Sequence, residues 1–368
     1  MEGEIRSFIK AWAIVSASLT YCYFISSRIP KGKFRLLSIL PIISIFTFLP
    51  LCLSSFFLQF YFGPNIGWLA NFKLILFAFG KDDTLSINPS TSLLHFIVAV
   101  AFPVRIKPNS SQRIQNKETP STASTKQDSK LNIIFVINVL IWAVMVQAYA
   151  NNIVFKQETL FMKPIVAQFL YSARMLFGTQ VMFVLQAALA EPLIRQETEP
   201  QFNEPYLSTS LQDFWGKRWN RTVNSLLKYT IFQPTKSLLT PIFGKRWTIH
   251  LAILATFVVS GLMHELMHFY VGRQWPTWEV MWFFVIHGVC LAIELEVKKK
   301  ALKHGWRLHW MISLPLTVGF VVVTGIWLCY TELINFGADI REVEEYVAFI
   351  NYVKNTLHDL GAFTKTTS

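Results

Sequence analysis

The sequence predicts an all-α protein that crosses a membrane several times as a bundle of transmembrane helices. Of its 368 residues, 52% are apolar and only 15% are charged, and the mean hydropathy is +0.38. A soluble domain is about 45–50% apolar and about 25% charged. The apolar residues lie in long blocks, and basic residues fill the short gaps between them. Since one bilayer span needs about 20 apolar residues, these blocks predict about eight spans.

The net charge of +12 is distributed as in a membrane protein. A nucleic-acid-binding protein would carry its Lys and Arg as a stripe on one folded face. Here nearly all basic residues fill the short gaps between apolar blocks, as the cytosolic loops of membrane proteins do. The pattern therefore predicts membrane lipids as the surroundings of the chain and does not favour nucleic acid as a partner. The four cysteines lie inside apolar blocks without metal-ligand spacing, as small buried residues do.

Eight apolar blocks are candidates for crossing the bilayer. In chain order they are Phe8–Ile25, Leu36–Phe60, Ile66–Phe79, Leu131–Ala150, Pro164–Ala190, Thr248–Val271, Trp278–Val297 and Met311–Tyr330. The third block is short and contains Lys73. A further block, Leu93–Pro103, is too short to cross, so we interpret it as a re-entrant or interfacial helix.

The basic residues also predict which side of the membrane each gap faces. With this set of crossings, the gaps on one side carry 24 Lys and Arg residues and those on the other side carry 7. Cytosolic loops hold the excess of positive charge. The basic set is therefore assigned to the cytosol; it comprises residues 28–35, 80–92, 104–130, 191–247 and 298–309.

The chain divides into four predicted parts. Residues 1–103 hold the N-terminal spans and the re-entrant helix. Residues 104–130 are rich in Ser, Thr and basic residues without an apolar period, so they predict a disordered cytosolic linker. Residues 131–337 form the functional core, in which the aromatic-rich segment 191–247 predicts ordered helices at the membrane surface. Residues 338–368 form a polar, partly amphipathic tail.

The most unusual local feature is a group of ionisable residues inside the apolar block Thr248–Val271. It contains His264, Glu265 and His268 within five positions. Ionisable groups inside a span are costly and rare, so each is a functional candidate by default. Arg174, in another predicted span, is a candidate for the same reason.

This group allows three interpretations. It matches H-E-x-x-H, in which His264 and His268 share a helix face and could hold Zn²⁺ while Glu265 activates water, as in an intramembrane protease. Alternatively, one histidine in a dry pocket is a general base for an alcohol, which is the chemistry of acyl transfer. Finally, a buried histidine can simply hydrogen-bond a neighbouring helix, which is the favoured interpretation for His268 and for His287.

Two segments of the chain resemble the plant wax synthases, members of the membrane-bound O-acyltransferase superfamily. The first runs through Gln201–Tyr206 and Ser208–Asn220 and contains the string Phe-Trp-Gly-Lys-Arg-Trp-Asn. The second is Ser260–Glu265, which reads Ser-Gly-Leu-Met-His-Glu. The similarity extends over most of the chain and is strongest between residues 202 and 297.

The resemblance implies two catalytic residues, His264 and Asn220. The histidine would take the proton of the acceptor alcohol, and the asparagine amide would steady the thioester or the developing oxyanion. Glu265, Trp215 and Trp219 are expected to support them. The second histidine of the H-E-x-x-H match does not belong to the family pattern.

The resemblance also implies the substrates. A fatty acyl group would pass from acyl-CoA to a long-chain fatty alcohol in an apolar chamber between the helices, in the endoplasmic reticulum membrane. A sterol, or diacylglycerol with a short acetyl donor, is the alternative acceptor; a zinc protease or a transporter is the alternative class. Acyl-CoA is the co-substrate, and neither a metal nor another cofactor is expected.

Four cations near the predicted site are candidates for binding the CoA phosphates. They are Lys217, Arg218, Arg221 and Arg246. Arginine suits phosphate through its planar fork of donors, and lysine acts as a point charge. Each of these cations could instead anchor the protein to lipid headgroups.

Overall fold

The chain forms a bundle of helices in the computed structural model, which describes residues 2–80, 92–107, 135–148 and 164–366. Within these ranges every regular element is a helix, apart from one antiparallel bridge between Ile106 and Thr198. The predicted linker 104–130 lies outside the described residues except for its first four positions. The all-α class predicted from the sequence is confirmed.

Among the described residues before position 164 there are five α-helices, with short 3₁₀ and π-helical turns between some of them. They are α1 (Glu2–Phe24), α2 (Lys33–Phe48), α3 (Asn71–Ala78), α4 (Leu93–Ala101) and α5 (Phe135–Ala148). The 3₁₀ turns are Ser26–Arg28 and Leu49–Cys52, and the π-helical turns are Leu58–Phe62 and Asn65–Ala70.

The remaining helices form the functional core and the C-terminus. They are α6 (Pro164–Ile194), α7 (Leu211–Asp213), α8 (Arg221–Leu227), α9 (Gln233–Gly272), α10 (Glu279–Lys303), α11 (Trp310–Gly325), α12 (Thr331–Asn335) and α13 (Ala338–Thr366). A 3₁₀ turn covers Pro205–Leu207, and π-helical turns cover Phe214–Arg218, Lys228–Phe232 and Ile326–Tyr330.

Six helices of the described residues are long and apolar enough to cross a membrane. They are Glu2–Arg28, Lys33–Cys52, Gln168–Ile194, Arg221–Gly272, Glu279–Lys303 and Trp310–Asn335. They correspond to six of the eight predicted crossings, so the protein is a multi-pass membrane protein. The seventh, α5, is apolar but shorter.

The predicted span Leu36–Phe60 is wrong at its C-terminal end. The helix stops after Cys52, and a new helical run begins at Phe56. A carboxylate from the distant Glu345 accepts hydrogen bonds from the backbone N–H groups of Phe56 and Phe57, the latter at 3.0 Å. This satisfies donors that a helix N-terminus leaves open and places negative charge at the positive end of the helix.

Because a new helical run begins at Phe56, the helix that contains the predicted block Ile66–Phe79 is longer than the block itself. Residues 56–78 are continuously helical through two π-helical turns and α3. Lys73 lies in this run and is fully buried. Its ammonium donates to the carbonyls of Ala99 and Phe102, at 2.5 and 2.6 Å. The cation thereby caps the C-terminal end of α4, where a helix leaves carbonyls without partners.

Helix α4 is a short buried helix, as the block Leu93–Pro103 predicts. Its residues from His95 to Ala101 are buried except Ile97. The chain that follows pairs with the segment before the site, since Lys107 N–H donates to Glu197 O at 3.0 Å and Glu199 N–H donates to Arg105 O at 2.7 Å.

The segment 191–247 contains the ordered helices that its aromatic content predicts. They are α7, α8 and the start of α9. Helix α9 leads from this segment into the predicted span Thr248–Val271, and it departs from helical geometry close to the predicted boundary. The helix is kinked at Gly244, whose φ of 70° is in the left-handed region that glycine adopts without a Cβ clash.

Helices α9 and α10 pack closely against each other. A Cβ placed on Gly261 would lie 2.6 Å from the Met281 sulfur, and one on Gly288 would lie 3.0 Å from Cβ of Phe257. Small residues allow close backbone approach between helices in a bilayer, where packing drives association. This pair therefore forms a rigid wall on which side chains can be held in fixed positions.

The C-terminal segment is more than a polar tail. It forms α13, and the first turns of this helix dock on the bundle. Glu342 lies 2.9 Å from Arg174, and both side chains are buried. Arg341 donates to the Val271 carbonyl at 2.9 Å. The intramembrane cation Arg174, a functional candidate from the sequence, is thus paired with a carboxylate, as a buried charge requires.

Candidate active site

A large apolar cavity of about 350 Å³ lies in the centre of the bundle. It is bounded by α6, α9, α10 and α11 together with four of the π-helical turns. His264 and Asn220 both line it. A smaller cavity of about 100 Å³ lies on the side of α8 and is also lined by both residues.

The two cavities meet at a shared set of side chains, which we call the junction. It consists of Trp68, Trp215, Trp219, Asn220, His264 and Phe284. The structure therefore brings together the two predicted catalytic residues and both predicted supporting tryptophans. Their positions agree with the arrangement that the resemblance implies, and their catalytic roles stay predictions.

The π-helical turns shape the cavity wall. Trp68, Trp215 and Tyr330 each lie in such a turn and line the large cavity. A π-helical turn widens the helix locally and redirects side chains, and such turns are frequent at functional sites. The wide turns thus direct these large aromatic side chains toward the cavity.

His264 is held by its own helix. Its Nδ1 lies 2.7 Å from the carbonyl oxygen of Ser260, one turn earlier in α9. A carbonyl can only accept, so Nδ1 carries the proton and Nε2 presents a lone pair. The ring packs against Phe284 with centroids 4.4 Å apart. This tautomer and this orientation are those required of a general base.

Asn220 has a strained backbone conformation, and the oxygen and nitrogen of its side-chain amide are used differently. Its φ of 31° and ψ of 73° are left-handed, which non-glycine residues rarely adopt. The side-chain Oδ1 accepts from the N–H of Val223 at 3.1 Å and so caps α8. The amide Nδ2 makes no hydrogen bond within the described part of the chain, so its two N–H donors are left for a ligand at the junction.

Trp215 is fixed by a chain of hydrogen bonds that the sequence did not reveal. Its indole Nε1–H donates to Nδ1 of His287 at 3.1 Å. Nε2–H of His287 donates to the hydroxyl of Thr324 at 2.8 Å, and this hydroxyl donates to the Phe320 carbonyl at 2.7 Å. Every polar atom of the fully buried His287 ring is used, so this histidine is structural, as expected.

Trp219 and Glu265 differ in their relation to the cavity. Trp219 lines it and stacks on Phe214, with ring centroids 5.5 Å apart and planes at 12°. Glu265 does not line either cavity. Its carboxylate accepts from the backbone N–H of Met281 at 2.8 Å and ties α9 to the start of α10, so its support is through helix packing.

Three of the four predicted CoA-binding cations already have carboxylate partners. Arg218 is 2.7 Å from Asp213. Arg221 is 3.4 Å from Glu199, and Arg246 is 2.6 Å from Glu296. Lys217 is exposed and forms no ion pair among the described residues. Of the four, it is the cation most available to an incoming phosphate.

Among the other polar residues that line the large cavity are Tyr206 and His268. Tyr206 lies outside the membrane-spanning helices; burial, with the Glu204 carboxylate adding to it, raises the pKa of this phenol. His268, one turn after His264, also lines the cavity, and its Nδ1 is bonded to Glu332. Within the described ranges, no three His, Cys, Asp or Glu side chains converge as metal ligands would.

Comparison with known proteins identifies the family of the chain. A sequence model described as the membrane bound O-acyl transferase family matches residues 198–286. The long-chain-alcohol O-fatty-acyltransferase of Simmondsia chinensis is 40% identical over 98% of this chain and 99% of its own. Acyl-CoA–sterol O-acyltransferase 1 of Arabidopsis thaliana is 35% identical over 98% of this chain and 99% of its own.

The family match and the relatives over nearly the full length show that this multi-pass helical bundle is a membrane-embedded acyltransferase. The chain belongs to the plant long-chain-alcohol O-fatty-acyltransferase family, within the membrane-bound O-acyltransferases.

Proposed function

We propose that this enzyme transfers a fatty acyl group from acyl-CoA to a long-chain fatty alcohol and releases a wax ester and CoA. The observation that carries the proposal is the junction of two cavities at His264 and Asn220. The large cavity is apolar and suits lipid chains, whereas the small one gives a second approach to the same two residues. A transfer between two substrates needs such a meeting point, because both reacting atoms must lie beside one base.

The reaction follows from the bonding of the two side chains. His264 Nε2 takes the proton of the acceptor hydroxyl as its oxygen attacks the thioester carbonyl carbon. Negative charge then develops on the carbonyl oxygen, where an N–H of Asn220 Nδ2 can stabilise it. The carbon–sulfur bond breaks, and the leaving thiolate takes the proton from His264. No residue is acylated, and the chemistry needs no metal.

A sterol is the second candidate acceptor. The relative from Arabidopsis whose name specifies a sterol matches this chain over nearly its whole length. A sterol presents the same chemistry, one hydroxyl on an apolar body, to the same base. Diacylglycerol meets the same requirement, and the length and shape of the occupied cavity decide among the three acceptors.

The acceptor is tested by expression in a host that lacks neutral-lipid synthesis. Membranes would receive labelled acyl-CoA with a fatty alcohol, a sterol or diacylglycerol, each alone, with the His264→Ala variant as control. We expect labelled wax ester from the fatty alcohol at the highest rate. A sterol ester formed faster than the wax ester would replace the proposed acceptor, and ester formation by the control would remove His264 from the mechanism.

We also propose that the protein lies in the endoplasmic reticulum membrane with its basic loops in the cytosol. Cysteine-free protein carrying Lys303→Cys or Gln274→Cys provides a matched pair. Both positions are exposed; Lys303 ends α10, and Gln274 lies in the loop before its start. In intact microsomes we expect a membrane-impermeant maleimide to label position 303 and not position 274. Labelling of 274 alone would reverse the orientation.

A further inference from the structure

A second histidine faces the large cavity, and the proposed reaction does not use it. His268 follows His264 by one turn of α9, which separates them by about 6 Å along the helix axis. Its side chain is only 3% exposed, yet it lines the cavity. The cavity wall around it is otherwise largely apolar, so this polar group calls for an explanation.

The orientation of the His268 ring is fixed by two further residues. Its Nδ1 lies 2.7 Å from the Glu332 carboxylate, which is itself 2% exposed. The other carboxylate oxygen accepts from the hydroxyl of Thr277 at 2.6 Å. An ionised carboxylate can only accept, so the proton of this bond belongs to Nδ1. The carboxylate therefore fixes the orientation of the ring, as carboxylates do for histidines that bind a metal through their other nitrogen.

The other nitrogen of the ring is left open. Nε2 of His268 makes no hydrogen bond in the part of the chain that the structure describes. Nε2 is not one of the fully enclosed side-chain atoms that lack a partner, so whatever fills the cavity can reach it. A polar atom that loses its water there without gaining another partner costs about 1–3 kcal/mol. On an apolar cavity that receives lipid chains, the partner is a polar group of the lipid or a water molecule.

We propose that Nε2 of His268 binds a second hydroxyl group, carried by the lipid substrate a few carbon atoms from its reacting end. The proposal rests on the proposed function, because it places the reacting oxygen at His264. A hydroxyl fits either protonation state of the ring, since it both donates and accepts. A charged group would add the desolvation cost of an ion to an apolar cavity. The site therefore selects hydroxylated lipids over unsubstituted ones.

The hydroxyl could be on either substrate, because both chains meet beside His264. Two arms of one experiment separate the sources. In the acceptor arm, membranes with the full-length enzyme receive palmitoyl-CoA with hexadecan-1-ol or with hexadecane-1,6-diol. In the donor arm, hexadecan-1-ol is supplied with palmitoyl-CoA or with 6-hydroxypalmitoyl-CoA. The measured quantity is the ratio of kcat/KM for the hydroxylated and plain substrates.

We expect this ratio to be about five to ten in one arm, the value of one neutral hydrogen bond. A series of positional isomers should show a maximum where the second hydroxyl reaches His268 and a ratio near one when it is moved to the far end of the chain. If the ratio stayed near one for every positional isomer while the plain alcohol was esterified normally, a water molecule would be the partner of Nε2. That result would overturn the proposal. Absence of any ester would instead contradict the proposed function.

Variants test the residue itself. In His268→Leu the ratio should fall to about one, since the apolar side chain offers no partner. In His268→Gln it should stay above one, because the amide still donates and accepts. A ratio is independent of how much enzyme folds, so reduced expression does not obscure it. If His268→Leu does not accumulate, the positional series on the unmodified enzyme decides alone; an unchanged ratio in His268→Leu would contradict the proposal.

Discussion

His264 on α9 is partly buried and His287 on α10 is fully buried, and the two are bonded in opposite ways. His264 on α9 bonds its own backbone through Nδ1, and its Nε2 has no partner among the described residues. His287 on α10 uses both nitrogens, one on Trp215 and one on Thr324. The comparison teaches that burial alone does not identify a functional histidine. What separates His264 from His287 is a ring nitrogen without a partner among the described residues, on a side chain that lines a cavity. His268 shares this feature but does not belong to the junction of the two cavities.

Removing the open histidine is expected to have the largest effect. In His264→Ala the acceptor hydroxyl has no base, so the rate of ester formation should fall by about 10²–10⁴-fold, the range of general-base contributions. The measurement is ester formation in microsomes, normalised to the amount of folded protein.

His304→Ala is the matched control, because His304 is exposed just beyond the end of α10. It should retain full activity. If His264→Ala retained activity close to that of His304→Ala, the open nitrogen would have no catalytic role, and the contrast between α9 and α10 would lose its functional meaning.

Asn220 extends the comparison to a side-chain amide. Its Oδ1 caps α8, and its Nδ2 has no partner among the described residues. Asn220→Asp keeps the oxygen that caps α8 and tolerates the left-handed backbone, but it replaces the Nδ2 donor by an acceptor. Turnover should fall by about 10²–10³-fold, the cost of one oxyanion donor, while the protein level stays close to normal.

Asn220→Gly is the complementary variant. Glycine adopts the left-handed backbone at no steric cost but loses the cap, which at Ncap costs only a few tenths of a kcal/mol relative to asparagine. Both variants should therefore lose turnover to a similar degree. Normal turnover in the aspartate variant would show that Asn220 acts only as a helix cap.

The fully bonded histidine should behave as a structural residue. His287→Ala leaves the indole N–H of Trp215 buried without its partner, which costs about 1–3 kcal/mol of stability. Thermal unfolding in detergent should therefore occur at a lower temperature, while the activity of the folded fraction falls less than tenfold.

Trp215→Phe removes the same hydrogen bond from the other end. Because both changes break one interaction, the double variant should be less destabilised than the sum of the two single ones. Additive losses would show that the bond between the two rings contributes nothing, and a His287→Ala loss as large as that of His264→Ala would end the distinction between the two histidines.

Much of this arrangement could be predicted from the sequence. Apolar blocks identified the positions of the long helices, and the short block Leu93–Pro103 predicted α4. The resemblance singled out His264 and Asn220, which the structure places on one junction. These features depend on local composition or on a motif, which a single sequence displays.

The features that escaped prediction depend on pairs of residues far apart in the chain. The break after Cys52 is stabilised by Glu345, 289 residues from Phe56, and no local signal announces it. The Trp215–His287 bond joins residues 72 positions apart. The charge of Lys73 made the block Ile66–Phe79 a weak candidate for a crossing. In the fold, three backbone carbonyls contact its ammonium. Such long-range satisfaction of polar groups follows only from the fold.

The predicted CoA-binding cations at the surface also differ in whether they have a partner. Changing them is expected to have the smallest effect on catalysis. Lys217 has no carboxylate partner among the described residues, whereas Arg246 is paired with Glu296. Lys217→Ala should raise KM for acyl-CoA about two- to fivefold without changing kcat, because one cation near a phosphate contributes about 1 kcal/mol or less. The difference should shrink at high salt, where exposed charges are screened.

Arg246→Ala is the matched variant, since exposed ion pairs contribute little. Its KM for acyl-CoA should stay within twofold of the unmodified enzyme. If the two variants raised KM equally, an existing ion pair would not decide which cation binds the phosphates. A side chain without a partner would then indicate function inside the cavity but not at the protein surface.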